Sequence, residues 1–438
     1  MDDRHVAPRP ADPPTPTLIV RDTRVGGVPA DIVIAGNRIA AIEPPDPERA
    51  IDAARTRVVD GRGTAALPGL MNAHTHSAMA MMRSYADDMP LMPWLREKIW
   101  PFEAHLTEDD VYWGTRLACV EMIRTGTTFF NDMYWFFHGT ARATVDSGMR
   151  AVLSPAFIDL GDPERLRREA EATLRTLDEA RAYPDRVAFA FGPHAIYTVS
   201  EAGLRWVAEQ AAARGCLVNV HTAETAGEVD DCVRAHGLRP VAYLDRVGVL
   251  SERCLAIHAV HLDDADIALL AARGAHVVHN PVSNLKLASG GPMRYRDLRA
   301  AGVNVLVGTD GCASNNNLDL FEELKFAALM AKHATGDPTT LPADEALDLV
   351  TTHAARAFGI DAGALAPGKL ADLILIDLGH VMLFPGHHLA ADLVYSAHGR
   401  AVRTTICDGR VLMADGVIDD EAEIRAEVGA RLARLTGR

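Results

Sequence analysis

Thr64-Ala65-Ala66-Leu67-Pro68-Gly69-Leu70-Met71-Asn72-Ala73-His74-Thr75-His76 decides how the rest of this 438-residue chain is read. Its apolar opening runs into His-x-His, the pattern of a β-strand over 64–71 that ends in two histidines. Residues two apart in a strand face one side. His74 and His76 would therefore bring two imidazoles to one point, as a metal ion requires. His-x-His alone is a weak signal, since two unrelated polar residues at a strand end look the same.

Working outward, the middle of the chain repeats an apolar run followed by an amphipathic stretch. Strand candidates fall at 64–71, 127–131, 150–153, 186–191, 216–220, 254–257, 275–278 and 304–307. Between them lie segments rich in Ala, Leu, Arg and Glu, such as 163–181 and 201–214. Eight β/α units over 65–364 predict an α/β fold, a (β/α)8 barrel of the TIM type. A doubly wound open sheet is the alternative. The flanks read differently. Short strands at 17–20, 31–34 and 38–42, with a Gly36-Asn37 turn, match others at 371–377, 402–406 and 411–413, with Asp408-Gly409 between the last two. Neither set makes a stable sheet alone. Residues 17–64 and 365–420 are thus expected to join as one small β-sandwich domain, and 421–438 to form a C-terminal helix. The proline-rich stretch 1–16 reads as a disordered lead without the apolar core of a secretory signal.

Composition excludes some partners. The formal net charge of −15 argues against nucleic acid and anionic lipid, which need a basic footprint. No run of about twenty apolar residues predicts a membrane span. The six cysteines are scattered, with no Cys-x-x-Cys, so reduced core thiols and a cytoplasmic setting are expected.

In a barrel of this kind, reactive groups sit at the carboxyl ends of the strands. Four such ends here carry polar residues: His74 and His76 after the first strand, His221 and Glu224 after the fifth, His258 and His261 after the sixth, and Asp310 after the eighth. Singly, each has a dull explanation, a satisfied histidine or a helix N-cap. Together they predict a metal site with His74, His76, His221 and Asp310 as ligands. Three imidazoles and a carboxylate suit one divalent cation, Zn2+ first, with Fe2+ or Mn2+ as alternatives. Cys312, two residues past Asp310, is a candidate soft ligand, set against the plainer reading of a buried thiol.

At this point the chain resembles the amidohydrolase superfamily, and within it the 5-methylthioadenosine/S-adenosylhomocysteine deaminases. The resemblance runs from Ile32 to Met413. It is carried by 67–76, by Ser84-Tyr85-Ala86-Asp87-Asp88-Met89-Pro90-Leu91-Met92-Pro93-Trp94-Leu95, and by Ile99-Trp100-Pro101-Phe102-Glu103. It continues in Gly192-Pro193-His194, His221-Thr222-Ala223-Glu224, the run His279 to Gly290, and Gly308-Thr309-Asp310-Gly311. Two-metal relatives carry a carboxylated lysine after the fourth strand, where this chain has Gly192-Pro193-His194, so one metal is implied. The resemblance also implies hydrolytic deamination of a small purine nucleoside at C6. Glu224 would protonate ring N1, Asp310 would take and pass on the water's proton, and His258 would orient that water. Glu103 would hold the ribose hydroxyls, His194 the purine, and Trp94 and Trp100 would wall the pocket. Homo-oligomers are common in the family, although no residue here demands one.

One departure matters. Relatives that accept S-adenosylhomocysteine are expected to carry an arginine just after the third strand. This chain reads Leu153-Ser154-Pro155-Ala156-Phe157. Neutral 5′ groups (methylthioadenosine, adenosine, 5′-deoxyadenosine) are therefore expected over S-adenosylhomocysteine. The alternatives are deamination or dechlorination of another N-heterocycle, such as guanine, a pterin or an s-triazine, and a non-catalytic scaffold.

Overall fold

The computed structural model describes residues 17–437, and the expected lead at 1–16 lies outside the described residues. Eight strands of the middle region run parallel: Leu70–Thr75, Thr127–Tyr134, Arg150–Phe157, Val187–Phe189, Val218–Thr222, Cys254–His258, His276–His279 and Asn304–Val307. The first four pair in sequence, as do the last four. Parallel bridges Phe191↔Val218 and Ala195↔His221 join the two halves. The ring closes where the amides of Thr309 and Asp310 donate to His74 O at 3.1 and 3.0 Å.

The first strand departs from the sequence reading. Residues 64–71 are not one barrel strand. Thr64–Pro68 pairs antiparallel with Leu373–Asp377, outside the barrel, and Leu70–Thr75 alone enters it. The change of partner happens within two residues: Gly69 N donates to Asp372 O at 3.0 Å, and Leu70 N to Gly126 O at 2.9 Å. Gly69 is needed there, because a Cβ would stand 2.2 Å from Thr128 Oγ1.

Both chain ends supply one eight-stranded mixed sheet. Its order is Arg410–Met413, Val402–Cys407, Leu373–Asp377, Thr64–Pro68, Leu18–Val25, Val28–Ala35 and Arg38–Glu43, with Arg57–Asp60 also beside Leu18–Val25. A sandwich of two separate sheets is thus not what the pairing shows. The single sheet turns back on itself. The bridge Arg38↔Leu370 ties its edge strand to the segment before Leu373–Asp377, and Asn37 Nδ2 donates to Asp408 Oδ1 at 3.0 Å between the two turns. Period two explains its packing. Leu373 and Leu375 join Leu18, Val20, Ile32, Ile34 and Ile406 in a core of the sheet's own, whereas Ile374 and Ile376 pack into the large cluster that includes the barrel. Arg150, at the start of the third barrel strand, pairs with Asp372 and Asp408 at 3.0 Å each and locks the two parts together.

A separate apolar cluster holds Met71, Phe129, Leu255, Ile257, Val278 and Leu306, one or more residues from each of five barrel strands. Phe358, from the helix Thr352–Phe358, packs on Phe129 with ring centroids 4.6 Å apart. The last helix, Glu421–Thr436, buries Ile424 and Val428 against Glu108–Arg124. All six cysteines are unpaired. No described helix is long and apolar enough to cross a membrane.

Candidate active site

A cleft opens at the carboxyl ends of the barrel strands, the place where such folds gather their reactive groups. His76, Trp94, Trp100, Glu103, His194, His221, Glu224, His258 and Asp310 all line it, and His74 lies fully buried behind. His74 Nε2 and His76 Nε2 stand 3.4 and 3.3 Å from Asp310 Oδ1. The His221 ring centroid is 5.1 Å from that of His74 and 5.6 Å from that of His76. Ligand atoms of His74, His76 and Asp310 lie within 4.8 Å of one another, as do those of His74, His221 and His258. Cys312 belongs to neither set, and burial pushes its thiol up. His261 turns elsewhere, its Nε2 2.7 Å from Ser289 O.

Local backbone explains how the strands deliver these groups. In Val218–Thr222, Val218 and Val220 face the apolar cluster shared with the surrounding helices, so Asn219 and His221 face the other way. In Leu70–Thr75 the register against the second strand slips between Leu70 and Met71 and again between Asn72 and Thr75. Such irregularities re-aim side chains beside active sites. Ala223, His258, Ala259 and Asp310 all have positive φ, between 47° and 73°. Non-glycine residues hold this conformation only where their surroundings enforce it. At Ala223 the enforcer is Glu228, whose carboxylate accepts the amides of Ala223 and Glu224 at 2.9 and 2.8 Å.

The donor set fits a divalent cation. Both ring nitrogens of His74 are buried without a hydrogen-bond partner, an arrangement that costs stability unless something binds them. His76 Nδ1 lies 2.5 Å from Met133 O and His221 Nδ1 lies 2.7 Å from His194 O. Each Nδ1 must carry the proton to donate to a carbonyl, which leaves each Nε2 lone pair free for a metal. Burial holds His74 down to about 4 and His221 well below the usual imidazole range, so both are neutral. His76 is the exception: burial lowers it, but Asp310 beside it prevails and lifts it to about 9, an ion pair that a cation would replace. Burial opposes ionisation of Asp310, yet the His74 and His76 imidazoles close beside it keep its carboxyl well below the carboxylate range. Its second oxygen, Oδ2, accepts from Ser283 Oγ at 2.6 Å and Ser314 Oγ at 2.9 Å.

His258 is close enough to be a ligand, but its hydrogen bonds assign it another part. Its Nδ1 takes the amide groups of Asn280 and Asn284 at 3.2 and 3.0 Å, which leaves Nε2 bearing the proton. That nitrogen lies 3.8 Å from Glu224 Oε2. Burial, aided by the Asp310 charge, pushes Glu224 up to about 8, so it is protonated at neutral pH. His194 Nδ1 contacts Thr198 Oγ1 at 3.0 Å, and that hydroxyl donates onward to Ala195 O. His194 therefore donates through Nδ1 and offers Nε2 as an acceptor. Glu103 is half-buried and pushed up by burial; the nearby Tyr134 hydroxyl is buried without a partner. The indole of Trp94 donates to Ala86 O at 3.0 Å. Ser314, Tyr134 and Glu228 were not singled out as site residues in the sequence. Asn280, Ser283 and Asn284 lie in the run 279–290, but nothing in their type gave them a role.

A barrel with three imidazoles and an aspartate at the ends of its first, fifth and eighth strands defines a class, and the profile described as the Amidohydrolase family matches residues 65–412. The chain belongs to that family. Among curated relatives, it is 54% identical over 382 residues to a 5′-deoxyadenosine deaminase of Methanoregula boonei, covering 87% of this chain and 86% of that one. It is 46% identical over 383 residues to 5-methylthioadenosine/S-adenosylhomocysteine deaminase 1 of Archaeoglobus fulgidus, covering 87% and 90%. Among solved structures, an adenosine deaminase from Xanthomonas campestris with bound zinc superposes with a TM-score of 0.88 at 37% identity, over 97% of this chain and all of the other.

Proposed function

We propose that this chain is a metal-dependent hydrolase that deaminates adenosine-type nucleosides, 5′-deoxyadenosine, 5-methylthioadenosine and adenosine, to ammonia and the inosine analogue. The observation that carries the reading is Glu224, a buried carboxyl whose Oε2 lies 3.8 Å from His258 Nε2 in the cleft that also gathers His76, His221 and Asp310. His74, His76, His221 and Asp310 would hold one metal, zinc by donor type. A bound divalent cation supplies Lewis-acid activation of a water molecule there.

The chain's own groups account for the proton movements. Glu224 gives its proton to ring N1, which makes C6 electrophilic. Asp310, ionised and with Oδ2 tied by two serine hydroxyls, accepts the proton that the attacking water loses and returns it to the departing amine. His258 presents Nε2–H to steady the incoming oxygen. Water adds at C6, the C6–N6 bond breaks, and the remaining proton of the added oxygen returns to Glu224 as the C6 carbonyl forms, so one water is consumed per ammonia released and both carboxyls are restored. Glu103, as a carboxylate, can accept both ribose hydroxyls. His194, an acceptor at Nε2, suits an O–H or N–H of the nucleoside, and Trp94 and Trp100 form apolar walls.

The 5′ group would enter the neighbouring cleft, which shares Glu103 and Trp100 and is lined by Leu106, Trp135, Phe136, Ile158 and Leu160. Those side chains favour an apolar or small substituent. Pro155 has no charge to offer, and Arg165, the one cation among that cleft's lining residues, already faces Glu169 at 3.9 Å. S-adenosylhomocysteine is therefore the poorer substrate. The test is an ammonia-release screen of zinc-loaded protein against these nucleosides, guanine, a pterin and an s-triazine. Turnover of nucleosides that collapses in Glu103→Ala supports the reading. Free-base turnover untouched by that change would replace it with the heterocycle alternative.

A further inference from the structure

Lys286 has no part in the chemistry above, yet it stands where three loops meet. It ends the helix Pro281–Lys286 that follows the seventh barrel strand. One face of this short helix serves the reaction: Ser283 donates to Asp310, and Asn284 meets His258. Lys286, one turn on from Ser283, meets loop groups instead, its Nζ donating to Asp87 Oδ1 at 2.5 Å, to Ala313 O at 3.5 Å and to Asn316 Oδ1. Asn316 Nδ2 in turn donates to Ser84 Oγ at 3.0 Å and Asp87 Oδ1 at 3.4 Å.

Ser84 and Asp87 begin the stretch that brings Leu91, Trp94, Trp100 and Glu103 into the cleft. Its backbone is not relaxed. Ser84 and Asp88 have φ of 56° and 60°, and Leu95–Ile99 forms a π-helical turn inside the helical run. Among the described residues, the side-chain hydrogen bonds that leave 84–100 all end on Lys286 or Asn316. The Lys286 and Asp87 side chains are only 21% and 31% exposed, so water competes weakly for this pair.

We propose that Lys286 is a positioning residue for the nucleoside: through Asp87 and Asn316 it pins the strained turn at 84–88, and so sets the Trp94–Trp100–Glu103 wall over the cleft. The proposal rests on the nucleoside reading above. It places the effect of Lys286 on substrate binding and leaves the proton-transfer groups untouched.

The test uses zinc-loaded Lys286→Met, Asp87→Asn and the conservative Lys286→Arg. Loss of a charge-assisted bond should raise KM for 5′-deoxyadenosine on the order of tenfold in the first two, with kcat within about twofold and KM restored in Lys286→Arg. Hydrogen–deuterium exchange without nucleoside should quicken over 84–103 and remain unchanged in the barrel strands. An unchanged KM, a kcat that falls as far as kcat/KM, or exchange quickened throughout the barrel would overturn the proposal. If the wild-type protein deaminates no nucleoside, the functional reading fails, and the exchange pattern still decides whether Lys286 pins the segment.

Discussion

A carboxyl group that must give up a proton at neutral pH has to be kept from ionising, and Glu224 is kept so by burial and by the Asp310 charge. The neighbouring Asp310 carries the opposite assignment, ionised despite burial because two imidazoles lie against it. Two carboxyls pushed apart in pKa within one cleft can divide acid and base work, as proposed for Glu224 and Asp310. Glu224→Gln keeps the shape and removes the proton. It should lower kcat by about 10²–10⁴, with metal content and circular dichroism unchanged. The sign of the pH dependence follows from the raised pKa: the protonated form exists below about 8 and is lost as pH rises through that value. kcat/KM for 5′-deoxyadenosine should decline above that pH, and a profile flat to more alkaline pH would contradict the role given to Glu224.

At the scale of elements, the barrel rests on a polar pair that no apolar pattern foretells. Asn131 and Asn219, on the second and fifth strands, exchange side-chain hydrogen bonds at 2.9 and 3.0 Å. Asn131 also donates to Ala73 O, and Asn219 to Ser154 Oγ. This pair sits one pleat below His221 and beside the carbonyl that precedes His74. Asn219→Ala would strand Asn131 in the interior and cost about 1–3 kcal/mol, read by denaturant unfolding of the zinc-loaded protein, with weaker zinc retention because His221 loses its footing. The same residues show what the sequence could convey. Parallel strands buried on both faces read as apolar runs, which is why seven of the eight expected strands overlap observed ones closely. Their carboxyl ends turn polar where the site begins, so Asn131, Asp132 and Tyr134 fell at or beyond the expected end of a strand that continues to Tyr134. The first strand was misplaced because 65–71 reads as one apolar run, and only the Gly69 crossing against Thr128 marks the change of sheet. The histidines and acids that line the cleft were legible through their places at strand ends. Ser283, Ser314 and the Asn280–Asn284 pair lie on turns, where serine and asparagine are common for reasons of local backbone alone.

Across the whole molecule, the proposed cation site would also serve as a structural joint. His74 and His76 come from the first barrel strand, His221 from the fifth and Asp310 from the eighth, and the ring of strands closes at His74 O, which accepts the amides of Thr309 and Asp310. A bound cation would therefore tie the opening and closing strands to the far side of the barrel. In its absence, the buried ring nitrogens of His74 have no partner to offset their lost hydration. Any ligand that binds only the folded chain adds stability in proportion to RT ln(1 + [L]/Kd), about 4 kcal/mol at a thousandfold excess over Kd. Removal of metal with a chelator should accordingly lower Tm in differential scanning calorimetry, and added zinc should restore it. His221→Ala should start from a lower Tm and respond far less to zinc, because the one ligand on the far side of the barrel is missing. A metal-free wild type whose Tm equals that of the zinc-loaded protein, or a His221→Ala variant that gains as much from zinc as the wild type, would mean that these four side chains do not share a cation.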